Sequence, residues 1–215
     1  MRPRMKDVTQ VLQEGGWMCI TRPPEESLMS IAREVFGCGS SNQTFENTNQ
    51  QFITASSEGN ARAGSKSSIR GLGPFPLHTD CAYSDPPPRY VLLRSVGGRP
   101  SCPTTILLFE KLEISEQLRQ DLSSGLWICS NKRHSRICSV INPGFVIWDT
   151  DCMRPADKIA KRASQELDEK LGNATVVEHR WNDESSVLII DNWRVLHGRG
   201  TARYSEGRVL ERILL

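Results

Sequence analysis

The reading turns on Pro74-Phe75-Pro76-Leu77-His78-Thr79-Asp80. In an extended backbone, residues two apart point to the same side. His78 and Asp80 can therefore close on one metal ion from one short segment. The sequence has four histidines, at 78, 134, 179 and 197. His197 stands 117 residues beyond Asp80, just after the apolar run Val187–Asp191. Two imidazoles and one carboxylate on one face of an octahedron form the triad that holds non-haem Fe(II), with three positions left open for cosubstrate and O₂. A histidine and an acid two apart are weak support alone, so the weight falls on what accompanies them.

Arg208 follows His197 by eleven residues and Arg212 follows Arg208 by four. On a strand Arg208, Leu210 and Arg212 share one face, with the guanidiniums about 13 Å apart at roughly 3.3 Å per residue. One could fork onto a carboxylate while the other serves a second anion. An arginine facing the inside of a barrel is costly unless paired, and a dicarboxylate cosubstrate would supply the partner. Two outward arginines on an edge strand remain the alternative.

Around these residues the chain reads as mainly β. Candidate strands are Trp17–Thr21, Arg89–Val96, Thr104–Phe109, Leu126–Ser130, Arg136–Ile141, Phe145–Asp149, Ala174–Trp181, Val187–Asp191 and Arg208–Leu214. Their Gly, Pro and Asn punctuation suggests an antiparallel sandwich or barrel. Helices are expected over Met5–Gln13, Glu25–Phe36, Ser115–Leu122 and Pro155–Leu171, from apolar residues three and four apart. In the last, Ile159, Ala163, Leu167 and Leu171 form the expected row and Gly172 the stop. Residues 37–73 are rich in Ser, Asn, Gln and Gly. A long polar stretch in a compact domain is either a solvated loop or a functional one, here a lid or substrate loop. Neither repeats nor a linker occur, so residues 1–215 read as a single domain.

Composition bounds the possibilities. The 215 residues are 38% hydrophobic and 24% charged, with 27 Lys+Arg against 25 Asp+Glu and a net charge of +2. That balance argues against nucleic-acid binding by bulk charge. No apolar run reaches membrane-spanning length, and Met1–Gly16 has no apolar signal core, so the expectation is a cytoplasmic protein with no membrane partner. The seven cysteines form no C-x-x-C pair, which disfavours a disulfide scaffold or structural zinc and favours free, largely buried thiols.

Three blocks carry a family resemblance. Pro74-Phe75-Pro76-Leu77-His78-Thr79-Asp80-Cys81-Ala82-Tyr83, with Pro87-Pro88-Arg89-Tyr90-Val91-Leu92-Leu93, resembles the iron-binding strand region of the taurine dioxygenase/clavaminate synthase-like oxygenases. Asp191-Asn192-Trp193-Arg194-Val195-Leu196-His197-Gly198-Arg199, with Arg208-Val209-Leu210-Glu211-Arg212, resembles their distal histidine and arginine region. Ile147-Trp148-Asp149-Thr150-Asp151-Cys152-Met153 is similar to a segment of the clavaminate synthase-like branch. Together they cover residues 74 to 215; the N-terminal third matches only loosely.

The resemblance implies a double-stranded β-helix, or jelly roll, flanked by helices. It implies Fe(II) on His78, Asp80 and His197, with 2-oxoglutarate and O₂ as cosubstrates. Arg208 would take the far carboxylate of 2-oxoglutarate with help from a threonine, Thr105 ahead of Thr104. Arg212 would lie near the substrate or the cosubstrate's near carboxylate. The implied reaction oxidises an unactivated C–H bond of a small polar metabolite, foremost an amino acid or derivative, by hydroxylation or another oxidative outcome, releasing succinate and CO₂. Asp151, ahead of Asp149, is the candidate for holding a basic substrate side chain. The acid that usually precedes the threonine is missing from Gly97-Gly98-Arg99-Pro100-Ser101-Cys102-Pro103-Thr104.

Elsewhere the plain readings stand. His134 belongs to a basic turn, His179 to a strand, and Trp148, Trp181 and Trp193 to the core. Asp149 and Asp151 lack the glycine of a calcium loop. The rival readings are a non-catalytic jelly-roll ligand-binding or regulatory protein and, more weakly, a zinc hydrolase, which would have no use for Arg208.

Overall fold

A computed structural model describes residues 5–37, 50–63, 65–97, 102–131, 134–203 and 208–215, and the side chains from Val8 onward within these ranges. Two antiparallel sheets face one another. The larger orders β1 (Trp17–Thr21), β12 (Ser186–Asp191), β4 (Tyr90–Gly97), β14 (Val209–Leu214) and β2 (Gln51–Thr54). The smaller orders β11 (Val177–His179), β5 (Thr104–Leu108), β13 (Val195–Arg199) and β3 (Phe75–His78). Beside them lie a three-stranded sheet of β10 (Met153–Pro155), β6 (Trp127–Ser130) and β7 (Ser135–Cys138), and a pair β8 (Ile141–Asn142) and β9 (Phe145–Val146). The helices are α1 (Met5–Gly15), α2 (Leu28–Phe36), α3 (Ser67–Arg70), α4 (Glu116–Ser124) and α5 (Lys158–Gly172). Among the described residues no helix is long and apolar enough to cross a membrane.

Strand alternation sorts the core into layers. Val91 and Leu93 of β4, Leu188 and Ile190 of β12 and Leu210 of β14 meet Ile106 of β5 and Val195 of β13 between the sheets. Their neighbours Leu92, Val187, Ile189 and Ile213 face the other way, onto Val8 and Leu12 of α1 and Leu28, Ile31, Ala32 and Val35 of α2. Helices thus cover the outer face of the larger sheet, so β12 is apolar on both sides. This explains why Val187–Ile190 reads as an unbroken apolar run rather than an alternating one. A further cluster packs α4 and α5 against Trp127, Trp148 and Leu196.

Several boundaries differ from expectation for identifiable reasons. The second helix starts at Leu28, not Glu25, because the Ser27 hydroxyl caps it by accepting from Ser30 N. The long helix starts at Lys158, capped by Asp157, because Pro155 pairs with Trp127 in β10. Its buried row is Ala160, Ala163 and Leu167, whereas Ile159 is 39% exposed. The run 136–141 divides into β7 and β8 where Val140 N leaves the sheet for Leu122 O at 3.0 Å. The polar stretch 37–73, part of which (38–49 and 64) lies outside the described residues, contains β2, which extends the larger sheet beside β14. His197 does not merely follow a strand: it sits within β13, after a turn in which Arg194 N donates to Asp191 O at 3.0 Å.

Gly198 sets the spacing of β13 and β3. A Cβ there would stand 2.6 Å from Phe75 O, 2.8 Å from Thr105 Oγ1 and 3.2 Å from Pro76 O. The backbone oxygens cannot swing aside, and the β13–β3 register shifts at this point. Gly198→Ala is expected to destabilise the fold by about 1–3 kcal/mol, the usual penalty for overpacking, read as a lower urea midpoint at unchanged m-value.

Candidate metal centre

His78 and His197 are cross-strand partners of β3 and β13, with ring centroids 4.8 Å apart. Asp80 lies two residues past the end of β3, and its carboxylate spans the pair: Oδ1 is 3.7 Å from His78 Nε2 and Oδ2 is 3.5 Å from His197 Nε2. The three residues are buried, and one ligand atom from each lies within 4.8 Å of the others. Sequence positions 78, 80 and 197 therefore converge as expected.

Local chemistry prepares these groups as ligands. His78 Nδ1 lies 2.8 Å from Pro76 O, so its proton sits there and Nε2 presents a lone pair. Burial, reinforced by the charge of Lys66, lowers the His78 pKa from its ordinary value and keeps the ring neutral at pH 7. Burial pushes the Asp80 carboxyl up, but Arg212 and the two imidazoles outweigh it and hold the group well below the usual carboxylate range. Arg212 Nη1 donates to both Asp80 oxygens at 2.9 Å, and its Nη2 donates to Gln51 on β2 at 2.5 Å. Neutral imidazole nitrogen with one hard anionic oxygen suits Fe(II). The donor set thus fits the metal that the sequence implied.

Contacts that sequence reasoning missed hold the backbone of Asp80 and of Thr79 before it. Asn192, fully buried, accepts from Asp80 N at 2.8 Å and donates to Asp80 O at 3.1 Å and to Pro88 O at 2.8 Å. Thr79 N donates to Trp148 O at 2.7 Å, and Trp148 N returns to Thr79 Oγ1 at 3.1 Å. The available signal was an asparagine between apolar strands in Asp191-Asn192-Trp193; a buried amide needs partners.

The triad opens into a cavity of about 1000 Å³, lined also by Gln51, Lys66, Thr104, Asp149, Asp151, Arg199, Arg208, Leu210 and Arg212. Arg208, Leu210 and Arg212 do share a face, and it points inward. Arg208 is 4% exposed, and among the described residues no carboxylate pairs with it. Its Nε has no hydrogen-bond partner, and burial lowers its pKa below the ordinary arginine value. On β5 the alternation places Thr104 on the cavity, while Thr105 is absent from the lining and lies against Gly198 instead. Thr104 Oγ1 accepts from Trp181 Nε1 at 3.1 Å, and the Arg208 guanidinium lies 6.0 Å from the Trp181 ring centre, so the three cluster at one end. Asp151 faces the cavity but is already paired within the chain, its carboxylate taken by Arg70 and Lys66.

The other candidates stay structural. His134 is exposed, and His179 packs edge-on against Trp181 with centroids 4.4 Å apart. Trp148 and Trp181 are core residues. The described cysteines are free; Cys102, Cys129 and Cys138 are buried, whereas Cys19 is exposed.

No protein-family model and no curated protein matches the sequence. Solved structures do. An asparagine oxygenase in complex with Fe(II), 2S,3S-3-hydroxyasparagine and succinate aligns at TM-score 0.71 and 16% identity, over 98% of this chain and 78% of that one. The non-haem iron oxygenase OrfP in complex with Fe and α-ketoglutaric acid aligns at 0.69 and 17% identity, over 96% and 76%. OrfP in complex with Fe aligns at 0.57 and 20% identity over 67% of this chain, which spans only 51% of that protein. The likeness shows a shared fold, the jelly roll of these non-haem iron oxygenases.

Asn192→Ala is expected to strand the Asp80 N–H and C=O, each loss worth about 1–3 kcal/mol. It should loosen the carboxylate enough to weaken Fe(II) or Co(II) binding about tenfold or more, as for lost outer supports of a metal ligand, measured by metal titration of the purified protein.

Proposed function

We propose that this chain is an Fe(II)- and 2-oxoglutarate-dependent oxygenase acting on an unactivated C–H bond of a small polar metabolite, an amino acid or a derivative. One observation carries the reading: the buried His78, Asp80 and His197 triad shares a cavity with Arg208, a buried cation for which the described residues offer no counter-ion. An isolated buried charge is costly. A hydrolase would have no use for it, whereas a dicarboxylate cosubstrate completes it.

His78, Asp80 and His197 would hold the iron, which supplies the oxidative decarboxylation of 2-oxoglutarate and the oxidation of the substrate. Arg208, at the Thr104 and Trp181 end of the cavity, would fork onto the distal carboxylate of 2-oxoglutarate, with the Thr104 hydroxyl beside it. Arg212 keeps Asp80 ionised and oriented, and stands where a second carboxylate can reach it. The backbone clamps from Asn192 and Trp148 fix the ligands before any small molecule arrives, which lowers the reorganisation needed on binding. Residues 50–56 of the β2 region and 65–67 at the start of α3 line the cavity.

Anaerobic Fe(II) and 2-oxoglutarate should together give the visible metal-to-ligand charge-transfer band, and aerobic turnover should release succinate. His197→Ala is expected to lose iron retention and the band. Arg208→Met is expected to weaken 2-oxoglutarate about 100-fold, without lowering the thermal midpoint of the ligand-free protein, because it removes an uncompensated buried charge. In the wild type, 2-oxoglutarate at about 100 times its Kd should stabilise the iron-loaded protein by about 2.7 kcal/mol.

A further inference from the structure

Lys66 immediately precedes α3 and reaches two acids at once. Its ammonium donates to the Asp149 oxygens at 2.7 and 2.8 Å and to Asp151 Oδ2 at 3.2 Å. Arg70, at the end of α3, grips Asp151 Oδ1 through Nε at 2.9 Å and Nη2 at 2.6 Å. The acid side chains are only 10% and 6% exposed. Lys66, Asp149 and Asp151 line the cavity of the triad, and Lys66 is near enough to His78 to act on it electrostatically. Burial pushes the Asp151 carboxyl up, but its two cationic partners prevail and hold it below the ordinary range.

A pair of buried carboxylates beside a metal centre is the natural seat for a substrate cation. In this chain two internal cations fill it. Two positive and two negative charges cancel, and each carboxylate is hydrogen-bonded by its own fold. A basic side chain that displaced Lys66 from the acids would have to break its three hydrogen bonds and would add a charge to a cavity wall that already holds Arg199 and Arg208. Arg199 has no carboxylate partner among the described residues; its Nη2 donates to Gly71 O at 2.9 Å and Gly73 O at 2.7 Å. Asp80 is matched by Arg212. Fe(II) and 2-oxoglutarate bring opposite and equal charges, so the loaded cavity keeps a positive field that disfavours another cation.

We infer that the substrate, on the oxygenase reading proposed above, has an uncharged or acidic far end, and that Lys66 and Arg70 are the specificity-determining residues that exclude basic side chains. The cavity-facing acids serve to seat these two cations. Lys66 remains at the wall as a hydrogen-bond donor for a carbonyl or carboxylate.

The test is anaerobic calorimetry on the Fe(II)- and 2-oxoglutarate-loaded protein with L-asparagine, L-glutamine, L-glutamate, L-arginine and L-lysine. All five share the α-ammonium and α-carboxylate, so their ranking reports the far end alone. The first three are expected to include a ligand at least tenfold tighter than arginine or lysine. Lys66→Met with Arg70→Met should move that ratio at least tenfold towards arginine and lysine. Adding Asp149→Asn and Asp151→Asn to the same protein should abolish the gain. Should the double variant fail to fold by circular dichroism, Lys66→Gln alone should shift the ratio in the same direction by less. A wild-type preference for arginine or lysine, an unmoved ratio in the folded variants, or no binding by any of the five overturns the inference. The charge-transfer band recorded before any amino acid is added reports separately on the oxygenase reading. Its absence would overturn that reading, and the same five-ligand ranking on the protein without 2-oxoglutarate would then decide this one.

Discussion

The pairing of His78 with His197 across β3 and β13 is the contact on which the rest depends. A ladder of backbone hydrogen bonds sets two imidazoles side by side, and the Asp80 carboxylate bridges them from beyond the strand end. Strand pairing is a stiff way to place side chains, because a one-residue slip would turn each ring to the opposite face. Gly198 lets the two backbones approach, Asn192 clamps the peptide of Asp80, and Thr79 ties the same segment to Trp148. The centre is therefore held by backbone geometry more than by contacts among the ligands themselves.

The same cavity shows three treatments of buried charge. The Asp80 carboxylate is matched by Arg212, and Asp149 and Asp151 are matched by Lys66 and Arg70. Arg208 and Arg199 have no carboxylate among the described residues. Arg199 is satisfied in part by backbone carbonyls and by the Phe75 ring 3.5 Å from its guanidinium carbon. Arg208 has the more distant Trp181 ring, 6.0 Å away, and the neutral Cys102 thiol, so its charge lacks an opposite among the described residues, in keeping with the dicarboxylate proposed above. Matched charges keep the wall rigid, and the unmatched one defines what enters. This division supports the oxygenase reading and the exclusion of basic substrates from different residues.

Much of this was legible before any coordinates. The offset within the triad, the shared face of Arg208 and Arg212, and the helical stripe of α2 rest on periodicities of two and 3.6 residues, which depend on local chain geometry. Which of Thr104 and Thr105 lines the cavity was not legible: they are chemically equal neighbours, and only the phase of β5 in its sheet puts Thr104 there. Nor could the polar composition of residues 50–73 reveal β2, whose pairing is supplied by β14 from the far end of the chain. The fate of Asp151 was hidden for a similar reason. An acid beside a metal segment reads as a substrate contact until Arg70, 81 residues away, is found on it.

The sequence by itself determined which groups were available: two imidazoles, a carboxylate at the right offset, arginines with the period of a strand, and apolar runs that must be buried. Local covalent geometry is enough for that. The tertiary structure alone decided which charges meet. It brought Arg212 to Asp80, Asn192 to the same peptide, and Lys66 and Arg70 to Asp149 and Asp151, and it left Arg208 without a carboxylate partner among the described residues. Such pairings join positions that chain order holds far apart, and they are settled only when two sheets close on a common interior where every charge must find its opposite or await one.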